Sequence, residues 1–324
     1  MTDLRQKVYR MFILGTSGGG YKPALESGLG GIIFFTHDIE SPEQFKSLAG
    51  DIKSLSPLKN LFLSIDQEGG RVERTENIHK GKKYLSAKFA YKKGEKFLAE
   101  QTQNIADELK SYGINLNFAP CIDVNTNPNN PIIGERAFSD KPDEVIRAGM
   151  LVSKVYRENK IMPCLKHYPG HGDANADSHL TLPEIDLTLD EMENIHIRPF
   201  RELAETSEMI MVAHLHCTCF ERDKIPCSLS KNAIDYLRNR LGFKGIAISD
   251  DMIMKGVSDF GAVEACELGI RAGLNMFIYR NSNSETVGII EEIIKRAEKD
   301  QDLREKINES YNIITQVSDR FFSC

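Results

Sequence analysis

Three of the chain's 8 histidines fall in one short stretch, residues 166–187, which reads KHYPGHGDANADSHLTLPEIDL. His167, His171 and His179 stand there among Asp173, Asp177 and Asp186. Such a cluster could hold a metal ion, or it could be an acid–base loop. Asp177 and His179 are two residues apart, so in an extended segment their side chains share a side. Asp177 can then hold one imidazole nitrogen and leave the other for a substrate. A neighbouring carboxylate favours the protonated imidazole, the form a general acid needs. Taken alone, the pair reads better as a histidine held by a local aspartate in a solvated loop. Residues elsewhere in the chain have to decide.

Four other stretches bear on that choice. In IAISDDMIMKG, Asp250 and Asp251 follow an apolar run, where a carboxylate can be a nucleophile, a metal ligand or a helix N-cap. In SIDQEGGRVERT, Asp66 ends another run, with Arg71 and Arg74 close behind; an aspartate beside arginines suits binding of hydroxyls, and the plainer reading is a turn with solvated ion pairs. Arg136 lies in NPIIGERAFSDKP, a long non-helical connection of the kind that tends to be functional. HLHCTCF offers His214, His216, Cys217 and Cys219 as soft-metal ligands. Strand alternation sends the histidines and the cysteines to opposite faces, so the favoured reading is an interior histidine pair with buried thiols and no zinc. The glycine-rich GTSGGGYK lacks the Lys-Ser/Thr pair of a phosphate loop and reads as a flexible turn.

These residues need a scaffold. The chain has 324 residues, 41% hydrophobic and 27% charged, enough for a large core. The net charge of -6 gives no basic stripe for nucleic acid. The run at 11–14 is too short for a signal-peptide core, and no apolar run is long enough to span a membrane. A soluble cytoplasmic protein is expected. Seven scattered cysteines argue for reduced, mostly buried thiols. Strand-like runs occur at 9–15, 31–35, 61–66, 114–120, 161–167, 209–216, 245–250 and 275–279. Helical patterns occupy 42–55, 94–112, 141–159, 190–206, 231–241, 263–272 and 285–299. Eight alternating units predict a (β/α)8 TIM barrel forming a single domain over residues 1–324, with an extra C-terminal helix at 300–324. An open doubly wound sheet is the competing arrangement. It is disfavoured by the strand count and by the lack of a strong dinucleotide-binding fingerprint. On a barrel, chemistry sits at C-terminal strand ends, and there stand Asp66, Gln67, Glu68 and Arg71, then Asp123 and Asn125, Lys166 and His167, His214 and His216, and Asp250 and Asp251, which suggest one sugar- or phosphate-sized polar pocket.

Taken together, IDQEGGRVER, NFAPCIDVN, GERAFSDKP, KHYPGHGDANADSHLTLP, AHLH and PCSLSKNAIDYLRNRLGFKGIAISDDMIMKG resemble glycoside hydrolase family 3. Within it they are similar to the bacterial cytoplasmic β-N-acetylglucosaminidases of peptidoglycan recycling. The resemblance implies a retaining glycosidase with a covalent glycosyl–enzyme intermediate on Asp250. It implies His179 as general acid/base with Asp177 as its partner. Asp66, Arg74, Arg136, Lys166 and His167 would bind an N-acetylglucosamine unit of a muropeptide substrate carrying 1,6-anhydro-N-acetylmuramic acid. No metal or organic cofactor is implied, and neither nucleic acid nor membrane is a partner. An imidazole replaces the second carboxylate of the usual pair. The chain departs from the family's pattern in the short GTSGGGYKPALESG segment and in HLHCTC, and the second α/β domain that many β-glucosidases and xylosidases of the family carry is not expected here. Three other readings remain: a β-N-acetylglucosaminide phosphorylase, an inactive muropeptide-binding protein, and a metal-dependent hydrolase.

Overall fold

The computed structural model of the chain describes residues 3–174 and 182–323. Eight parallel strands close into a barrel: β1 Phe12–Gly15, β2 Gly31–Phe34, β3 Phe62–Ile65, β4 Leu116–Asn117, β5 Met162–Tyr168, β6 Met209–Val212, β7 Ile246–Asp251 and β8 Met276–Tyr279. They follow chain order around the circle, and β8 closes on β1 with Phe12 opposite Phe277. Runs such as FILG, GIIF and MFIY are buried at every position, because helices cover the outside while the interior is filled with side chains.

The outer helices start where the sequence provides caps. Ser41 accepts from the Gln44 amide and opens Pro42–Leu55, with proline at its start. Glu95–Ser111, Pro142–Glu158, Ala262–Ala272 and Ser284–Lys299 each bury one apolar face against the strands. The extra helix, Gln301–Ser323, buries Leu303, Ile307 and Ile314. It packs beside a short N-terminal helix, Leu4–Arg10. The buried Arg10 ties the two to the barrel, donating to Gly30 O (3.2 Å) and to Ser318 Oγ (3.1 Å).

Several expected boundaries move. The first strand does not begin at residue 9: Asp3 caps a helix by accepting from Gln6, and that helix takes Val8 and Tyr9. The expected helix at 190–206 is broken into Leu189–Asn194 and Arg198–Leu203. Thr188 and Glu191 form a capping box for the first, and Pro199 begins the second. The helix expected over 231–241 is α-helical only to Asp235 and continues as a π turn over Tyr236–Arg240. The glycine turn after β1 leads into an unforeseen helix, Tyr21–Glu26. The sixth strand stops at Val212 because the chain changes partners. Ser228 donates to Ala213 O (3.3 Å) and Cys227 to Leu215 O (2.8 Å), and His216–Cys217 then pairs with Glu184–Ile185 in a separate ladder.

Two register shifts shape the C-terminal rim of the barrel. Between the pairs Leu165↔Ile210 and Tyr168↔Val212, two residues of β5, Lys166 and His167, face one residue of β6. Between Ile248↔Met276 and Asp251↔Ile278, two residues of β7, Ser249 and Asp250, face one residue of β8. Bulges of this kind re-aim side chains at a barrel rim.

Strand contact leaves no room at Gly31, where an added Cβ would lie 2.5 Å from Phe62 O. Gly31→Ala is expected to cost about 1–3 kcal/mol. Gly50, in the interior of helix Pro42–Leu55, has nothing within 4 Å of an added Cβ. Gly50→Ala should stabilise by about 0.5–1 kcal/mol. Urea unfolding followed by circular dichroism checks both; equal effects would contradict the close β2–β3 approach.

Candidate active site

A cavity of about 590 Å³ opens at the C-terminal ends of the strands. Asp66, Arg74, Arg136, Lys166, His167 and Asp250, gathered from four different stretches of sequence, all line it. Asp177 and His179 lie outside the described residues. The chain on either side of them is anchored on the same face. Asp173 accepts from Thr126 Oγ1 (3.0 Å), and Pro183 O accepts from the His216 amide (2.8 Å).

Asp66 follows β3, and the chain then turns through Gly69 and Gly70, whose φ values of 94° and 61° suit glycine. Gln67 is buried and shapes this turn, its Oε1 accepting from the Arg74 amide (2.7 Å). Arg74 therefore returns over the cavity, its guanidinium 5.6 Å from the Phe35 ring centre and 3.8 Å from Asp66 Oδ2. Arg71 points elsewhere. It donates to the carbonyls of Pro131 (2.8 Å), Ile132 and Ile133, and so fastens the connection that carries Arg136.

Charges are paired in the closed end of the cavity. Lys166 Nζ lies 2.7 Å from Asp66 Oδ1 and 2.6 Å from Glu68 Oε1. Arg136 grips Glu68 with two donors, Nε at 2.9 Å and Nη2 at 2.8 Å. Burial alone would raise the Glu68 carboxyl, but Arg136 and Lys166 hold it well below the usual carboxylate range. Burial would likewise lower Lys166, and Asp66 and Glu68 outweigh it, keeping the ammonium charged. Glu68 is visible beside Asp66 in the sequence, but nothing local gives it a role. Its partners are remote in the chain, so no nearby residue pointed to it.

Asp123 is a second organiser, which its place at a strand end marks in the sequence without indicating its role. Its Oδ2 meets His167 Nδ1 at 2.6 Å and accepts from the His167 amide at 3.2 Å, and its Oδ1 accepts from the His171 amide at 2.6 Å. The other imidazole nitrogen of His167 faces Arg136 Nη2 at 3.1 Å. A guanidinium only donates, so Nε2 accepts and Nδ1 carries the proton shared with Asp123. Cys121, Asp123 and His167 place potential ligand atoms within 4.8 Å of one another. A cation there would have to displace that proton and sit beside Arg136, so the donor set fits a hydrogen-bond relay better than a metal site.

The roles of the histidines divide. His171 braces the turn through its backbone, its carbonyl accepting from Asn130 Nδ2 (2.8 Å). Its ring lines the cavity with both nitrogens unpartnered, and burial pushes its pKa down to about 4. His214 contacts Ser228 Oγ (2.7 Å), while His216 lies by Glu184 (3.3 Å) and the Glu221 carbonyl (3.0 Å). The two do not form an interior pair, and their partners diverge.

Asp250 stands across the cavity from the ion pairs. Burial acts to raise its pKa, and is outweighed by His167, by His214, by the Asp251 amide donated at 2.7 Å and by Lys166. The carboxyl is held below its ordinary value, so it is ionised and has no side-chain cation bonded to it among the described residues.

A parallel eight-stranded barrel with carboxylates and cations gathered at its C-terminal rim has the layout of a barrel enzyme's active site. A model of the glycosyl hydrolase family 3 N-terminal domain matches residues 20–317, and the chain belongs to that family. The beta-hexosaminidase A of Pseudoalteromonas piscicida is 33% identical over 279 residues, covering 78% of this chain and 46% of the relative. The family 3 beta-N-acetylglucosaminidase of Paenibacillus sp. FPU-7 superposes with a TM-score of 0.89 at 27% identity, over 98% of this chain and 62% of that one. NagZ of Neisseria gonorrhoeae, solved with N-trifluoroacetyl-D-glucosamine, gives a TM-score of 0.76 at 27% identity, over 97% and 95%. The chain thus spans under two thirds of the first two relatives.

Glu68→Gln leaves Lys166 and Arg136 short of a charge and is expected to cost about 3–5 kcal/mol at pH 7. The wild-type stability due to Glu68 is complete above its unfolded pKa of about 4.3 and is lost as pH falls through the depressed folded value. The deficit of the variant should therefore shrink below about pH 4. Urea titrations from neutral to acid pH test this; a variant as stable as wild type at pH 7 would show that the network is dispensable.

Proposed function

We propose that the chain is a retaining, exo-acting β-N-acetylglucosaminidase. It would remove non-reducing N-acetylglucosamine from muropeptide fragments that carry 1,6-anhydro-N-acetylmuramic acid. The observation that carries this reading is an ionised Asp250 facing a closed pocket of paired charges. Asp66 offers a carboxylate to sugar hydroxyls, while Lys166, Arg136 and Arg74 offer N–H donors; His167 sits among them, oriented by Asp123. Their closure at one end admits a terminal sugar and nothing beyond it.

In the first step Asp250 attacks the anomeric carbon. The glycosidic C–O bond breaks, and the departing oxygen takes a proton from His179, which Asp177 orients. In the second step His179 takes a proton from water, the water oxygen attacks the anomeric carbon, and the bond to Asp250 breaks. An imidazole serves both steps because it cycles between its two forms near neutral pH. The similarity to a beta-hexosaminidase and a beta-N-acetylglucosaminidase supports the sugar. We assign the protein to the cytoplasm. The six described cysteines are free thiols, and no helix among the described residues is long and apolar enough to cross a membrane.

Asp250→Asn should lower kcat on an aryl β-N-acetylglucosaminide by at least about a thousandfold, since it removes the nucleophile. Rates near wild type would overturn the assignment. His179→Ala should lose much more activity on aglycones that are poor leaving groups than on good ones. A uniform loss across a leaving-group series would argue against an acid at this position.

A further inference from the structure

The charged groups around the cavity are unevenly exposed. On the β3–β5 side, the side chains of Glu68 and Lys166 are 4% and 2% exposed. On the opposite side, Arg280, just after β8, is 44% exposed, and His37, after β2, is 59% exposed. A sugar entering with its non-reducing end fills the closed side and leaves its aglycone at the open side. Arg280 therefore stands where the leaving group lies.

Arg280 is held rather than free. Its Nε pairs with the Asp251 carboxylate, and its backbone amide donates to Asp251 Oδ1 (3.3 Å). Asp251 is itself braced by the Ile253 amide (3.2 Å). Among the described residues no acceptor takes a hydrogen bond from the terminal nitrogens of Arg280, which lines the cavity. Ser17, whose Oγ lies 3.0 Å from His37 Nε2, completes a donor-rich rim. The rim has an electrostatic consequence. Asp250 and Asp251 are adjacent carboxylates, so an anionic leaving group would be repelled from the cavity mouth unless a fixed cation met it there.

We propose that Arg280 is an anion seat in the aglycone subsite, binding an oxyanion on the leaving group. For the substrate class proposed above, on which this inference rests, that group is the lactyl carboxylate of an N-acetylmuramic acid unit from which the stem peptide has been removed, since an attached peptide converts that carboxylate to an amide. A planar guanidinium held at Nε presents its remaining N–H edge to a carboxylate. Arg280 pairs with Asp251 rather than with Asp250, so it offsets one of the two adjacent carboxylates and leaves Asp250 without a bonded side-chain cation among the described residues.

The test compares N-acetylglucosaminyl-β-1,4-N-acetylmuramic acid with neutral diacetylchitobiose in wild type, Arg280→Gln and Arg280→Lys. In Arg280→Gln the ratio of kcat/KM for the anionic over the neutral disaccharide should fall about tenfold or more, mainly through KM. Arg280→Lys should restore part of it. Any general effect of the substitution cancels in the ratio, so an unchanged ratio overturns the proposal. Added inorganic phosphate separates the other source of an oxyanion. If Arg280→Gln loses only a phosphate-dependent release of sugar 1-phosphate, with the ratio unchanged, the carboxylate seat is wrong. If wild type cleaves neither disaccharide, the functional reading fails by itself. Calorimetric titration with free N-acetylmuramic acid and N-acetylglucosamine then decides the seat: equal affinity for N-acetylmuramic acid in wild type and Arg280→Gln overturns it.

Discussion

Glu68 is buried between two cations, and the cavity is organised around that contact. A carboxylate taken out of water is tolerated only when it is paired and hydrogen-bonded. Arg136 supplies two donors and Lys166 a third at 2.6 Å. The three residues come from the turn after β3, the connection after β4 and the end of β5. Each cation is in turn kept charged by a carboxylate, so none of the pairs is stable without the others. The network demands that these strands be neighbours in the right register. It fixes the donors before any ligand arrives, so that binding there need not reorganise them.

Asp123 extends the same constraint to the opposite edge of Lys166–His167. By accepting from two successive elements, the His167 ring and the His171 amide, it locks the end of β5 to the turn after it. Gly172 lets that turn come close, since an added Cβ there would meet Val124 O at 1.8 Å. The turn leads into the segment carrying Asp177 and His179, so the placement of its root depends on the packing of β4 against β5.

The bulges solve a geometric problem. In a regular strand, neighbouring side chains point to opposite faces, so Lys166 and His167 could not both face the cavity, nor Asp250 and Asp251. One extra residue in β5 and one in β7 at the rim let both members of each pair line it. The cavity then has a closed, charge-paired wall beside β3–β5 and an open rim beside β8, with Asp250 between them.

Barrel architecture was legible from the chain because each strand is a short apolar run and each outer helix an amphipathic repeat. Burial on both faces and on one face leaves those two patterns directly in the residue order. Asp66, Lys166, His167 and Asp250 were legible as cavity residues because they end apolar runs, whereas Arg74 and Arg136, in a turn and a long connection, were placed there by the family resemblance. The short N-terminal helix was missed because its apolar residues run straight into β1, and the end of β6 because its new partners lie elsewhere in the chain. The tertiary structure alone decided that Glu68 and Asp123 organise the site, that Arg71 serves the backbone, that His214 and His216 part company, and that Arg280 reaches the rim. Each of these depends on distance in space between residues far apart in the chain, and residue order carries no record of which charges meet once the barrel closes.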